Sequence, residues 1–212
     1  MKLLLSIFAS IFLAGCSVFG QSNVETAPYT LLKSDEAQKI EVRNYDSMVI
    51  VSTDMAGDGR NSAFRKLFKY ITGENEGAAE IAMTAPVIMD NQAGNTTKNK
   101  GTEISMTAPV LMNAQAGTSM MSFVMPKDFT LQTTPKPTNP DVLVSELKNY
   151  KVAAIQFSGT LSERNVAKHT KILVDWIAKN GYTAKGQPVE AGYNGPITLP
   201  MLRRNEVMIE LE

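Results

Sequence analysis

The chain has 212 residues with 21 Lys and Arg against 21 Asp and Glu, and this balance lacks the basic surplus that nucleic-acid binding requires. A hydrophobic content of 43% predicts a folded protein of one domain or two small ones. The single Cys excludes an internal disulfide. The single His excludes sites that need two imidazoles, which covers most catalytic zinc sites.

The N-terminal segment has the pattern of a secretory signal. Lys2 is followed by an apolar run over residues 3–13, which is too short for a comfortable membrane span, and small residues precede Cys16. The sequence Leu13-Ala14-Gly15-Cys16 resembles a bacterial lipobox, which implies cleavage before Cys16 and acylation of that residue. The alternative is an ordinary signal peptide with an incidental Cys.

These features predict three regions. Residues 1–15 are expected to be a lipoprotein signal peptide, residues 16–28 a lipidated flexible tether, and residues 29–212 the folded domain. More than one acyl chain gives stable anchoring in a bilayer. Ser17 follows the Cys where inner-membrane lipoproteins carry Asp, so we expect an envelope protein anchored in the outer membrane and facing the periplasm.

The first half of the folded domain is predicted to begin with strands and a helix. Residues 38–45 alternate between apolar and polar side chains, and residues 48–53 are rich in β-branched side chains, so both are expected to be strands. The spacing of the apolar residues that follow predicts one helix face, formed by Phe64, Leu67, Phe68 and Ile71.

A short repeat follows the first helix. Residues 79–92 and 102–115 match at nine of fourteen positions, which predicts a hairpin or a symmetric pair of strands rather than a solenoid. Residues 120–125 are expected to be another strand. Seven Met residues lie in this region (Met83, Met89, Met106, Met112, Met120, Met121 and Met125), and they either fill the core or line an adaptable apolar surface.

The second half repeats the order of the first. Residues 133–140 are a Pro-rich connector, residues 151–157 and 205–211 are predicted strands, and a helix is expected after Ser162 with Gly181 as its C-terminal stop. Its apolar face is predicted to contain Val166, Leu173, Trp176 and Ile177. The order of a strand, a helix and further strands thus occurs twice. This duplication favours an α+β fold with an antiparallel sheet curled into a closed or distorted barrel.

Catalytic motifs are weakly represented in the chain. A triad would have to use His169, and no Gly-x-Ser-x-Gly turn is present. Gly57-x-Gly59-x-x-Ser62 lacks the third Gly of a dinucleotide loop and is better interpreted as a turn that leads into a helix. His169 lies near the apolar edge of its predicted helix, where it either ligates a haem iron or is an ordinary half-buried side chain.

Six sequence blocks resemble the SOUL haem-binding family, in order and over about residues 29–212. The Met-Thr-Ala-Pro-Val and Arg-Arg-Asn-Glu-Val blocks are the most specific of them. The blocks are IEVRNY (40–45), the helix region 64–73, IAMTAPV (81–87), FVMP (123–126), YNGPITLP (193–200) and RRNEV (203–207).

The resemblance implies duplicated βαββ-type units that form a distorted antiparallel β-barrel with two flanking helices. It also implies non-catalytic, non-covalent binding of haem or another tetrapyrrole in an open apolar cleft. The expected cleft residues are Phe64, Arg65, Phe68 and Lys69 on the first helix and Tyr193, Arg203 and Arg204 on the loop 193–204, with His169 as the candidate iron ligand. Arg203 and Arg204 either meet propionates or brace the last strand through carboxylates such as Glu206.

The sequence thus predicts a membrane-tethered protein that binds haem or a related tetrapyrrole for transport, buffering or scavenging. Its expected partners are the tetrapyrrole and the lipid membrane, which it meets through acylated Cys16. Two alternatives remain open: a binding module for another apolar small molecule, and a structural or interaction lipoprotein of the envelope. An enzyme is disfavoured because acid and base groups are not concentrated in any motif.

Overall fold

The computed structural model describes residues 24–55, 59–77, 101–115, 118–195 and 197–212. The predicted signal peptide, Cys16 and the first copy of the short repeat, residues 79–92, lie outside them. In chain order the elements are β1 (Glu25–Thr26), β2 (Thr30–Asp35), β3 (Ile40–Asp54), α1 (Gly59–Ile71), β4 (Asn75–Glu76), β5 (Thr107–Ala108), β6 (Val110–Gln115), β7 (Thr118–Val124), β8 (Lys136–Pro137), β9 (Leu143–Phe157), α2 (Glu163–Lys179), β10 (Ala184–Gly192), a 3-10 turn (Pro200–Leu202) and β11 (Asn205–Leu211).

Six of these strands close into an antiparallel barrel. The order around it is β3-β7-β6-β10-β11-β9, and β9 pairs back with β3 from Ile40↔Ile155 to Ser52↔Leu143. β2 pairs antiparallel with β3 and extends the sheet outside the closed ring. Closure leaves the six barrel strands without open edges.

The barrel is built from two copies of one βαββ unit. The first is β3, α1, β6 and β7, and the second is β9, α2, β10 and β11. The two long strands, β3 and β9, each have 15 residues and pair with one another. The predicted α+β duplicated barrel with two flanking helices is therefore confirmed.

The second helix forms as predicted, whereas the first is rotated. Ser162 caps α2 by accepting a hydrogen bond from the Asn165 backbone N–H, and Leu173, Trp176 and Ile177 are buried. In α1 the buried residues are Ala63, Leu67, Tyr70 and Ile71. Phe64 and Phe68, which the spacing had placed on the buried face, are instead 37% and 41% exposed.

Three hydrophobic clusters follow from the alternation of the strands. One lies beneath α1 and contains Val51, Leu67 and Phe123, and a second lies beneath α2 and contains Phe157 and Leu173. The third consists of side chains on the opposite face of the sheet, in the barrel interior: Tyr45, Met48, Ala108, Leu111, Val124, Val152, Ala154, Ala191, Tyr193 and Met208, with Ala27.

The methionines of the middle strands mostly fill the core. Met112, Met121 and Met125 are buried in the cluster beneath α1, as the core interpretation predicts. Met106 is exposed. Among the described residues, no helix is long and apolar enough to cross a membrane.

A candidate ligand cleft between the first helix and a long loop

The outer face of α1 carries an exposed aromatic stripe, which we define as Phe64 and Phe68. Their rings stack with centroids 6.1 Å apart and an interplanar angle of 13°. Phe64 also meets the buried Phe123 ring edge to face, with the centroids 5.3 Å apart. Phe64 is held against the sheet, and both rings remain partly exposed, so the stripe can pack against a flat apolar ligand.

Two cations accompany the stripe. Arg65 and Lys69 each follow one of the aromatic residues, and both are exposed. Lys69 Nζ lies 3.2 Å from a Glu74 carboxylate oxygen in an exposed ion pair. Because such surface pairs contribute little free energy, Lys69 can exchange this partner for another anion at small cost.

The loop between β10 and β11, residues 193–204, carries a second exposed apolar group. Ile197 is 70% exposed and Met201 is 72% exposed, and Leu199 and Leu202 are also exposed. We call these four residues the apolar loop tip. Clustered exposed apolar side chains of this kind mark interaction sites on soluble domains.

The segment 159–161 connects the loop to α1. The Gly159 N–H donates to the Pro200 carbonyl at 2.8 Å, and Arg60 at the start of α1 reaches the Leu161 carbonyl at 3.5 Å. Arg60, Phe64 and Phe68 are spaced by four residues and so share one helix face. The aromatic stripe therefore lies on the helix face that begins at Arg60, and we take this face and the apolar loop tip as the two walls of a candidate open cleft.

Both ends of the loop are held by one buried carboxylate. The Tyr193 hydroxyl donates to Glu206 Oε2 at 2.7 Å, and Arg204 donates to Glu206 Oε1 from Nε at 3.0 Å and from Nη2 at 2.6 Å. The Arg204 backbone N–H also donates to Asn194 Oδ1 at 2.7 Å. We call Glu206, Tyr193 and Arg204 the loop clamp.

A second arginine anchors the clamp from across the barrel. Arg43 on β3 donates to both Glu206 oxygens, at 2.7 and 3.0 Å, and its Nε donates to Glu41 at 2.7 Å. Arg43 is 2% exposed and Glu206 is fully buried. A bidentate, charge-assisted pair of this kind offsets the large cost of burying both charges.

The electrostatics keep Glu206 ionised. Burial alone would raise its pKa, but the hydrogen bonds and charge of Arg43, with further contributions from Arg204 and Tyr193, lower the pKa below its usual value of 4.5. Burial and the Glu206 charge together raise the pKa of Tyr193 well above 10.0, so its hydroxyl stays a donor. The clamp is therefore a carboxylate that accepts from three donors.

The predicted loop residues thus have partners within the protein. Tyr193 and Arg204 contact Glu206, and Arg203 Nε donates to the Thr198 carbonyl at 2.8 Å. The contact between Arg204 and Glu206 is of the kind that the bracing alternative expects, whereas this Arg203 contact is to a backbone carbonyl. A contact between either arginine and a propionate stays a prediction.

His169 lies apart from the aromatic stripe. Its ring stacks on Phe157, with centroids 4.0 Å apart, and its Nδ1 lies 2.7 Å from the Asn165 carbonyl, which makes Nδ1 the protonated nitrogen and leaves Nε2 as an acceptor. Neighbouring strands connect Phe157 to Phe123 through the paired residues Asn205, Gly192 and Val110. This path crosses four strand spacings, which is roughly 19 Å measured along the curved sheet.

The structure therefore does not bring His169 and Phe64 into one small site, because Phe64 sits over Phe123 at the far end of this row. In the described part of the chain, no group of three or more His, Cys, Asp or Glu side chains could hold a metal ion. Iron ligation by His169 stays a prediction.

Two cavities among the described residues are too small for a porphyrin. One, of about 140 Å³, lies inside the barrel and is lined by residues of all six strands, including Leu111, Tyr150 and Lys185. The other, of about 270 Å³, lies beside charged residues of the β2–β3 turn such as Asp35 and Lys39. Pockets for drug-sized ligands start at roughly 300 Å³. Neither of these two cavities can therefore enclose a porphyrin.

Sequence reasoning missed two parts of this site. Phe123, which supports the aromatic stripe, was expected only as part of a strand and of a family block. Arg43 was likewise expected only within a strand and a family block, and its neighbours Val42 and Asn44 do not indicate that its side chain is buried. Its carboxylate partner is 163 residues away in the sequence.

Comparison with known proteins identifies relatives along most of the chain. The family model described as SOUL heme-binding protein matches residues 24–99 and 91–210. The chain is 26% identical over 174 residues to human "Heme-binding protein 2", covering 80% of this chain and 76% of the relative. It is 25% identical over 203 residues to mouse "Heme-binding protein 1", covering 91% and 95%.

Solved structures of distant sequence share the fold. The EcmrR C-terminal domain superposes with a TM-score of 0.51 at 11% identity, covering 87% of this chain and 98% of that one. A structure titled as a hydrolase from Listeria innocua superposes with a TM-score of 0.52 at 10% identity, covering 82% and 92%. At such identities the likeness concerns the fold alone.

Proposed function

Because this chain belongs to the SOUL heme-binding protein family, we propose that it binds haem or a related tetrapyrrole non-covalently and without catalysing a reaction on it. The observation that carries the proposal is the aromatic stripe of α1, which lies exposed beside an apolar loop and two cations. The human and mouse relatives named as heme-binding proteins support the same ligand.

The residues of the cleft match the chemistry of a tetrapyrrole. Haem offers a flat apolar ring, two anionic propionates and an iron centre. Phe64 and Phe68 provide aromatic surface for the ring. Arg65 and Lys69 stand beside them for charge-assisted contacts to propionates, and we expect Leu199 and Leu202 of the apolar loop tip to cover the ring from the other wall.

We place the binding energy in the ring and the propionates rather than in the iron. His169 stacks on Phe157, which lies about four strand spacings along the sheet from Phe123, the residue that supports Phe64. A porphyrin stacked on the stripe therefore does not need His169 as a ligand. This arrangement predicts that iron-free protoporphyrin and haemin bind with similar affinity.

The decisive experiment is a titration of the mature chain with haemin and with protoporphyrin, followed by absorbance. We expect a saturable Soret shift for haemin that is tighter than that of an albumin-like nonspecific control, and a comparable affinity for protoporphyrin. No saturable shift would overturn tetrapyrrole binding. A strong preference for haemin would overturn the ring-and-propionate account and indicate an iron ligand.

We further propose that the protein is a lipoprotein, cleaved before Cys16 and acylated there, and held in the outer membrane facing the periplasm. The pattern of residues 1–16 supports this proposal. A tethered single domain suits transport, buffering or scavenging of its ligand. Mass spectrometry of the N-terminal peptide should detect an acylated Cys16, and Cys16→Ser should release the protein from membranes. An unmodified thiol would contradict the proposal.

A second candidate is a binding module for a smaller apolar molecule. The cavity of about 140 Å³ inside the barrel supports it by its volume, which suits a ligand the size of a benzene ring, and its lining combines apolar residues such as Ile50 and Leu111 with Lys185 and Glu210. Native mass spectrometry of protein purified from its own host separates the two candidates, since a small bound mass without a porphyrin would favour the second.

A further inference from the structure

The apolar loop tip is more exposed than ligand binding in the cleft requires. Ile197 and Met201 are each about 70% exposed or more. Residues 197–202 include no charged side chain, and four of the six are large and apolar. A protruding, uncharged apolar loop can enter the boundary between lipid headgroups and acyl chains.

The chain enters the domain at the base of this loop. β1 pairs in parallel with β5 through Glu25↔Thr107 and Thr26↔Ala108. Ala108 is two residues before Val110, which pairs with Gly192, the last residue before the loop. β5 runs toward the start of β6 and so enters the barrel at the end where the loop lies. β1 runs in the same direction as β5, so the chain before Glu25 lies outside the barrel at this same end.

The fully extended tether is about as long as the barrel. Seven residues separate Cys16 from Val24, and the eight Cα–Cα steps between these two residues span at most about 28 Å. β10 from Ala184 to Gly192 also covers eight steps, roughly 27 Å. An acyl chain on Cys16 would therefore hold the loop end close to the bilayer, and the tether could not easily reach past the barrel to present its opposite end.

We propose that the loop end of the domain docks on the lipid bilayer that holds the tether, with Ile197 and Met201 inserted among the lipids. This inference rests on the proposed acylation of Cys16. It gives the cleft an orientation, because its mouth then opens at the bilayer surface. An apolar tetrapyrrole can pass between lipid and cleft without crossing water.

Fluorescence quenching by brominated lipids tests the orientation. Met201→Trp places a reporter at the loop tip. Val174→Trp is the matched control, because Val174 is also an exposed apolar residue but lies in the second half of α2. The second half of α2 leads to Ala184, which pairs with Leu211. This pairing lies at the end of the barrel opposite the loop, so Val174 is expected to lie away from the bilayer. The native Trp176 is buried and supplies a constant background.

Acylated protein of each variant would be purified from membranes and reconstituted into phosphatidylethanolamine–phosphatidylglycerol vesicles, with and without brominated acyl chains. We expect the added emission of Met201→Trp to fall about twofold or more, and that of Val174→Trp to stay unchanged. Adding Ile197→Ser to Met201→Trp should weaken the quenching.

The outcomes separate this inference from the proposals on which it rests. Equal quenching of the two reporters, or none, in protein with a confirmed acyl mass overturns the orientation alone. An absent acyl mass overturns the anchor and the docking together. The haemin titration is measured separately, so a failure of tetrapyrrole binding leaves the quenching result intact.

Discussion

Replacing Glu206 by Gln removes the charge that balances two arginines in the barrel interior. Arg43, which is 2% exposed, keeps only Glu41 as an ionised partner, at 2.7 Å from its Nε. The Gln amide preserves the shape of the side chain but offers one acceptor in place of the two oxygens that accept from Arg43, Arg204 and Tyr193. Breaking a buried ion pair by removing one partner costs about 3–5 kcal/mol.

We expect the lower part of this range, about 3 kcal/mol, because Glu41 remains beside Arg43. For a domain of this size, each kcal/mol shifts Tm by about 2–4 °C, so E206Q should melt roughly 6–12 °C below the wild type. Urea unfolding followed by circular dichroism measures the free energy directly. Glu210→Gln is the matched control, since it makes the same change on β11 in an exposed pair with Lys185 and should cost less than about 1 kcal/mol.

A double replacement tests whether the cost comes from the uncompensated charge. Arg43→Met combined with Glu206→Met removes both buried charges and substitutes apolar side chains of similar length. We expect the double variant to be more stable than E206Q, since replacing a whole buried pair is often neutral. The reasoning is refuted if E206Q unfolds with the same free energy as E210Q, or if the double variant is less stable than E206Q.

The same carboxylate predicts a pH dependence with a definite sign. Because the folded pKa of Glu206 is lowered below its usual value of 4.5, its ionisation stabilises the folded state above that pH, and this contribution is lost as the pH falls through the folded pKa. The difference in unfolding free energy between the wild type and E206Q should stay constant near neutral pH and shrink below about pH 4.5. An unchanged difference in acid would contradict the assignment.

Three further predictions concern the cleft and the scaffold. Replacing Phe64 and Phe68 together by Ala should weaken haemin binding by about 10-fold or more and also lower stability, because Phe64 packs against Phe123, whereas Val174→Ala should leave binding unchanged, as measured by Soret titration. His169→Ala should leave the haemin spectrum and affinity unchanged, and a lost or shifted Soret band would instead show axial ligation. Gly101→Ala should destabilise the fold by about 1–3 kcal/mol in urea unfolding, because the added Cβ would overlap the backbone carbonyl oxygen of Gly73; an unchanged midpoint would show that the backbone relaxes.

The duplicated barrel was predictable because its elements carry strong periodic signals. β11 spans residues 205–211 as the alternation predicts, and α2 begins directly after Ser162. The helix α1 is also found, but its buried face is displaced by one residue toward Ala63 and Tyr70. Adjacent faces of a helix overlap, so spacing alone cannot decide whether Phe64 or Ala63 points to the sheet.

The strands that the sequence pattern did not predict are stabilised by pairing with their neighbours rather than by the strand propensity of their own residues. β10 contains Gly186 and Pro188, which normally interrupt strands, and its pairing with β11 shifts register between Lys185 and Val189. That irregularity accommodates both residues while the rest of β10 pairs with β6 and β11. A sequence window holds no information about such partners. The predicted strands 38–45 and 48–53 likewise form one strand, β3, along β9.

The candidate site was predictable in outline only. The family motifs pointed to α1 and to the loop 193–204, and both flank the open cleft. The loop clamp depends on Arg43 and Glu206 meeting across the barrel, and the distance of His169 from Phe64 depends on the strand order. Both are properties of the closed sheet, so neither follows from local sequence.

The distribution of charge in the site argues for an anionic ligand. Arg43 and Glu206 are buried, and with the partly exposed Glu41 and Arg204 they form a cluster of two positive and two negative charges. A cationic ligand would therefore find no unpaired carboxylate in this cluster to attract it. Beside the aromatic stripe, Arg65 and Lys69 are exposed cations, and Lys69 pairs with the exposed Glu74. A flat ligand with peripheral carboxylates gains both ring contact and charge-assisted bonds, whereas a neutral or cationic ring of the same size gains only the first.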